Sequence, residues 1–264
     1  MFFAILLLVL ALVPPLFSRS VMRRKTWHTL ILSLLVFSIG EVLLVGHQDK
    51  GASGMNLCLV QVAIVYSTPP LIALATAAYS ADIYISIRSM FGSDDWAEDG
   101  PEPQTVVILV LAPWIVFCLV FLETILVVGL HARGAFADIQ ESGLFFCHVE
   151  GDLLAVIISA VIVITACLSA VALQAATGWT LYKNWLSVQK VSIAATARKY
   201  IHAFIRTIAF TGVAIIAVIL GFVALVTFGQ THIGFSMLMP IFPIVAALIF
   251  GTYRDIVLFY VFWR

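Results

Sequence analysis

Apolar residues occur in long unbroken runs, each separated from the next by a short polar interval. The runs are Phe2–Phe17, His28–Gly46, Leu57–Ile87, Thr105–Leu130, Leu153–Tyr182, Thr207–Phe228 and Gly234–Gly251. A membrane-spanning helix needs about 20 largely apolar residues, roughly 17 to 25, and these runs reach or approach that length. None alternates apolar and polar positions with a period of two, so a barrel of membrane strands is excluded. The pattern predicts an all-α fold, a single seven-transmembrane helix bundle over residues 1–264. After Gly251 the tail TYRDIVLFYVFWR turns apolar again, with Ile256, Phe259, Tyr260 and Trp263 at helical spacing on one face. That spacing predicts a short interfacial helix over 253–264 with Arg264 on the wet side. A longer seventh helix is the alternative, and it would bury Arg254 and Asp255 at high cost in lipid.

Composition agrees with the pattern. Of 264 residues, 62% are hydrophobic and 11% charged, against roughly 45–50% and about 25% in an ordinary soluble domain. A water-soluble core of this size cannot hide that much apolar surface, so the lipid bilayer is a partner. Net charge is zero, with no basic excess to suggest nucleic acid. The first run reads better as a retained helix than as a signal peptide, because its charges (Arg19, Arg23, Arg24, Lys25) follow the apolar core and no small-residue cleavage pattern precedes them.

Lysine and arginine set the orientation. With the N-terminus outside, the inner segments hold Arg19, Arg23, Arg24, Lys25, Arg88, Lys183, Lys190, Arg198, Lys199, Arg206, Arg254 and Arg264. The outer segments hold only Lys50 and Arg133. The chain therefore reads as N-out and C-in, a multi-pass protein of the plasma membrane. The inner loop between the third and fourth runs carries Asp94, Asp95, Glu98 and Asp99; acids contribute little to the positive-inside bias.

Under this topology Cys147, in GLFFCHVEGD, lies in an outer loop, and Cys58 at the outer tip of the third helix. Cys118 and Cys167 are mid-span, where a reduced cysteine is a small apolar side chain. Two cysteines at the oxidising face read as one disulfide, Cys58–Cys147. Two free thiols that share a face are the alternative.

Seven helices with the N-terminus outside, and a bridge from the third helix to the second outer loop, resemble a G-protein-coupled receptor. The stretches YSTPPLIALATAAY, GLFFCHV and LIFGTYRDIV resemble most the orphan receptor-like seven-helix proteins of fungi. In rhodopsin-like receptors an Asp-Arg-Tyr triplet closes helix three, its Asp 24 residues after the bridge cysteine. The same count from Cys58 reaches Asp82, followed by Ile83 and Tyr84, so the arginine is missing. The sixth run also lacks Cys-Trp-x-Pro, and the last has PIFPIVAALIF where rhodopsin-like receptors have Asn-Pro-x-x-Tyr. The resemblance implies a heterotrimeric G protein as cytoplasmic partner, met by Asp82, Tyr84, Lys190, Arg198 and Lys199. The bland reading of those basic residues is that they satisfy the positive-inside rule.

Ionisable groups inside spans are costly and are functional candidates by default. Glu41 in SIGEVLL stands in the outer half of the second run, and a protonated glutamate bonded to a neighbouring helix is its plainer reading. An extracellular ligand entering beneath the bridged loop would meet Glu41, Gln61, Tyr66, Phe145 and Phe146. Enzyme motifs are absent: there is no H-E-x-x-H, no G-x-S-x-G and no Walker sequence, so no catalytic residue, metal or cofactor is expected. A retinal protein needs a Schiff-base lysine in the last run, and Gly234–Gly251 has none. The competing function is a small-solute transporter or channel, for which Glu41 and the STPP stretch of the third run would be the working parts.

Overall fold

The computed structural model describes residues 1–18, 23–43, 52–91, 102–131, 139–142, 146–149, 153–184, 191–227, 241–252, 256 and 259–261. Side chains are described for these except at 52–56, 58, 128–131, 139–142, 146–149, 153–156, 191–199, 218 and 220–227. The elements are α1 (Phe2–Phe17), α2 (Lys25–Val42), α3 (Ala52–Phe91), α4 (Pro103–His131), β1 (Ile139–Ser142), β2 (Phe146–Val149), α5 (Leu153–Lys183), α6 (Val191–Thr227) and α7 (Ile241–Gly251). Ile256 and residues 259–261 are helical as well. The body is helical, as the apolar runs predict. The exception is the α4–α5 connection, where β1 and β2 pair antiparallel with Glu141 opposite Cys147.

The largest departure from the expected boundaries is at α6, which begins at Val191 rather than Thr207. The segment VSIAATARKYIHAFIR was expected as connecting loop because its arginines and lysine depress average hydropathy. Its apolar residues nevertheless recur at helical spacing, the pattern of an amphipathic helix.

Among the described residues, four helical stretches are long and apolar enough to cross a membrane: Leu59–Phe91, Pro103–Val127, Ile157–Lys183 and Tyr200–Ala217. Helices α1 and α7 are apolar but shorter. Along α4 the residues Val107, Leu111, Ile115, Leu119, Leu122 and Leu126 lie at intervals of three or four and are each about half exposed or more. An apolar stripe of that length is incompatible with water and marks a membrane-embedded protein.

Each helix packs against the next in the chain, and α7 returns to α1, so the bundle closes into a ring. Helix α3 lies inside it, in contact with α2, α4, α5 and α6. Hydrogen bonds show the directions. Ser159 of α5 donates to the Tyr66 carbonyl of α3 at 3.1 Å, and further along Gln174 reaches Ser80 at 3.4 Å. The near-constant offset means that α3 and α5 run parallel. Helices α2 and α3 run antiparallel, joined at Gly40–Gln61 and at Thr26–Asp82.

Prolines sit inside α1, α3, α4 and α7 without ending them. In α1 the consequence is visible. Pro14 has no N–H to give the Leu10 carbonyl four residues back, and the Tyr260 hydroxyl donates to that carbonyl at 2.8 Å. The tail is thereby held against α1, where a polar group in hydrocarbon would otherwise go unpaired. Nearby, Ile256 is buried in the core with Leu8, Leu30 and Phe250. Aromatic contacts join three helices around Phe250: Tyr79 of α3 at 6.2 Å and Phe210 of α6 at 5.4 Å between ring centroids.

Candidate functional site

Helix α2 starts against the usual electrostatic rule. A helix N-terminus carries partial positive charge and normally attracts acids, yet α2 has no acid in its first turn and Arg24 at its N-cap makes no side-chain capping bond. Arg23, Arg24 and Lys25 add three cations there. The counter-charge comes from α3. Asp82 is 1% exposed; one carboxylate oxygen pairs with the Arg24 guanidinium, and the other accepts from Thr26 Oγ1 at 2.6 Å. The second arm of Arg24 donates to the Tyr200 hydroxyl of α6 at 2.6 Å, with its Cζ 5.2 Å from the centre of the Tyr200 ring. One guanidinium thus ties α2, α3 and α6. Burial opposes its charge, but Asp82 and Tyr200 outweigh that and raise its pKa above the ordinary arginine value, so it stays a cation.

Helix α6 has two more polar ties. Arg206 donates to the Ile249 carbonyl and, at 3.0 Å, to the Thr252 carbonyl, where the C-terminal carbonyls of α7 present partial negative charge. Deeper in the bundle the amide of Gln174 (α5) donates to Thr211 (α6) at 2.7 Å. The start of α2, the end of α3, the first half of α6 and the end of α7 therefore meet at one end of the bundle, the basic end. Beside the Arg24 clasp a cavity of about 350 Å³ opens between the start of α2 and the first turns of α4, with Asp82 also in its lining.

Ile83 is 2% exposed and belongs to the hydrophobic core, while the cation for Asp82 comes from α2. Tyr84 is half-buried. Asp82 joins helices and presents almost no surface outside the cavity that it lines. Lys190 lies outside the described residues; Arg198 and Lys199 lie on the first half of α6, and their side chains are outside the described set. The sequence reading missed Arg24, Thr26 and Tyr200. Arg24 looked like one positive-inside charge among many, and no spacing rule connects positions so far apart in the chain.

At the opposite end Gln61 meets α2 at Gly40, one residue before Glu41. The Gln61 amide donates to the Gly40 carbonyl at 3.2 Å, and the residue is fully buried, so a ligand would reach it only by parting α2 from α3. A Cβ on Gly40 would fall 2.5 Å from Ile64 Cγ2. This is the close approach that a small residue permits between membrane helices. Tyr66 is half-buried on α3. Phe145 lies outside the described residues, as does the side chain of Phe146 on β2.

The sulfur atoms of Cys58 and Cys147 are likewise outside the described residues. Their backbones are described: Cys58 belongs to α3, Cys147 to β2, and β2 packs on α3. Cys118 and Cys167 are free thiols, as expected for mid-span positions. Compared with known proteins, the chain matches no family model and no curated protein.

Proposed function

We propose that the chain is a receptor-like protein of the plasma membrane, N-terminus outside and C-terminus inside. On this reading an extracellular signal is passed through seven spanning helices to a cytoplasmic G protein. The observation that carries the proposal is the Arg24 clasp. It joins three helices at the basic end, which the positive-inside bias makes cytoplasmic. The tie to α6 is a single hydrogen bond and a ring contact, whereas the tie to α3 is an ion pair backed by Thr26. A movement of the first half of α6 away from α3 would break the weaker tie and leave the buried acid paired. Two positions of α6, one with this tie and one without it, are what a switch requires.

The closed ring with α3 inside supports the same reading, and so does the packing of the Cys147 strand on the Cys58 helix. A disulfide between them would pin the hairpin over α3. The tail after α7, hooked to α1 through Tyr260, would serve as the interfacial helix.

The test is nucleotide exchange by a panel of Gα subunits in membranes containing the full chain. Tyr200→Phe, which removes the hydroxyl but keeps the ring, is expected to raise basal exchange relative to the unsubstituted chain. If no Gα subunit responds to either form, the receptor reading fails. Solute uptake that follows expression and disappears in Glu41→Gln would then establish the transporter.

A further inference from the structure

The cavity beside the clasp has a wall divided by chemistry. Arg23, Arg24 and Lys25 contribute one side and Pro103, Val106 and Val107 the other, with Asp82 the carboxylate of the lining. Among the described residues the lining holds three cations and one carboxylate, which Arg24 already pairs, and the positive end of the α2 dipole adds to the cations. Lys25, Pro103 and Val107 are exposed, so the mouth lies between a charged rim and an apolar one.

The apolar rim continues. From Val107 the exposed stripe runs through Leu111 and Ile115 to Leu119 on α4. At 1.5 Å per residue that is about 18 Å of helix, enough to cross the roughly 15 Å of one leaflet's hydrocarbon. A ligand that fits both halves has a compact multiply charged anion at one end and hydrocarbon at the other. Arginine forks match phosphate oxygens, and basic pockets between membrane helices on the cytoplasmic side suit phosphorylated headgroups.

We infer that this cavity binds the phosphomonoester headgroup of an anionic membrane lipid, whose acyl chains lie along the exposed stripe of α4. The inference is independent of the receptor reading and holds equally for a transporter.

The experiment uses the full chain in detergent, titrated with phosphatidic acid, phosphatidylserine or phosphatidylcholine, with bound lipid counted by native mass spectrometry. Phosphatidic acid is expected to bind most tightly. The double variant Arg23→Gln/Lys25→Gln is expected to weaken it on the order of thirtyfold, at the usual contribution of a basic residue near an anionic headgroup. Lys183→Gln, an exposed cation of the same end outside the lining, is expected to change nothing. Should the double variant lose helicity, Val107→Trp decides, because it blocks the mouth at an exposed position and alters no charge; weaker binding there sustains the inference.

Four results would overturn it. Phosphatidylserine could bind as tightly as phosphatidic acid. The double variant could bind normally. Inorganic phosphate or a soluble inositol phosphate could displace the lipid at equal concentration, making this a site for a free anion. Finally, binding could occur only after Asp94, Asp95, Glu98 and Asp99 are neutralised, which would assign the cavity to the chain's own acidic loop.

Discussion

Two of the joints between helices α2 and α3 differ in kind. At the basic end they are joined by charge: Asp82 is buried, its cation comes from Arg24, and the same cation reaches a third helix. Toward the other end they are joined by shape: Gly40 lets α3 approach so closely that a single added carbon would collide with Ile64, and Gln61 closes the seam with a bond to backbone. A joint of packed surfaces has one good arrangement, because interiors are nearly as dense as crystals. A joint built on one shared guanidinium can lose a partner and keep the other. The α2–α3 pair is therefore held at both joints, and on the proposed reading α6 is the part that leaves the charged one.

The largest expected effect comes from breaking the charged joint on its strong side. Arg24→Ala strands a buried carboxylate and should destabilise the fold by about 3–5 kcal/mol. Thermal unfolding in detergent would show a large fall in Tm, and adding Asp82→Asn to the same chain should restore much of it. A similar loss in the double variant would mean that the clasp acts by packing and not by charge.

Next is the shape joint. Gly40→Ala gains helix propensity but overpacks against Ile64, with a net loss of about 1–3 kcal/mol expected. Ile64→Ala in the same chain removes the colliding methyl, so the double-mutant cycle should show strong positive coupling between the two sites. Gly40→Ala should leave basal Gα exchange unchanged, unlike Tyr200→Phe. Equal effects of both substitutions on exchange would erase the distinction between the two joints.

Smaller effects remain. Tyr260→Phe removes the donor that serves the Leu10 carbonyl, and should cost about 0.6 kcal/mol, the average for hydrogen bonds between membrane helices. Replacing Pro14 by Ala supplies an internal donor for that carbonyl, so the Tyr260→Phe loss should vanish in the Pro14→Ala background when both are compared by unfolding. Tyr200→Phe should also cost about 0.6 kcal/mol in stability; a loss several times larger would make its hydroxyl a structural support and remove its value as a release point.

Much of the fold was legible because membrane burial is written in local composition. The runs at Phe2–Phe17 and Leu153–Tyr182 coincide with α1 and, to within one residue, α5, since lipid demands uninterrupted apolar sequence. Legibility failed where that demand relaxes. The start of α6 carries Arg198, Lys199 and Arg206 on an amphipathic helix and looked like a loop. The hairpin Ile139–Val149 has strands of four residues each, too short for a periodic signal.

The site divides in the same way. Asp82 was singled out from the sequence by its spacing from Cys58, which the receptor resemblance supplied and which a single chain segment displays. Its partners were not, because Arg24 and Tyr200 are separated from it by long stretches of chain and are unremarkable in their own neighbourhoods. By itself the sequence determined that this is a helical, bilayer-embedded chain, approximately where its helices run, and which end gathers positive charge; these are properties of single segments and their solvent. The tertiary structure alone decided that α3 stands inside a closed ring, that the buried Asp82 takes its cation from α2, and that a basic cavity opens beside the bare stripe of α4. Those depend on which segments touch, and contacts between distant segments are set by packing that no local pattern encodes.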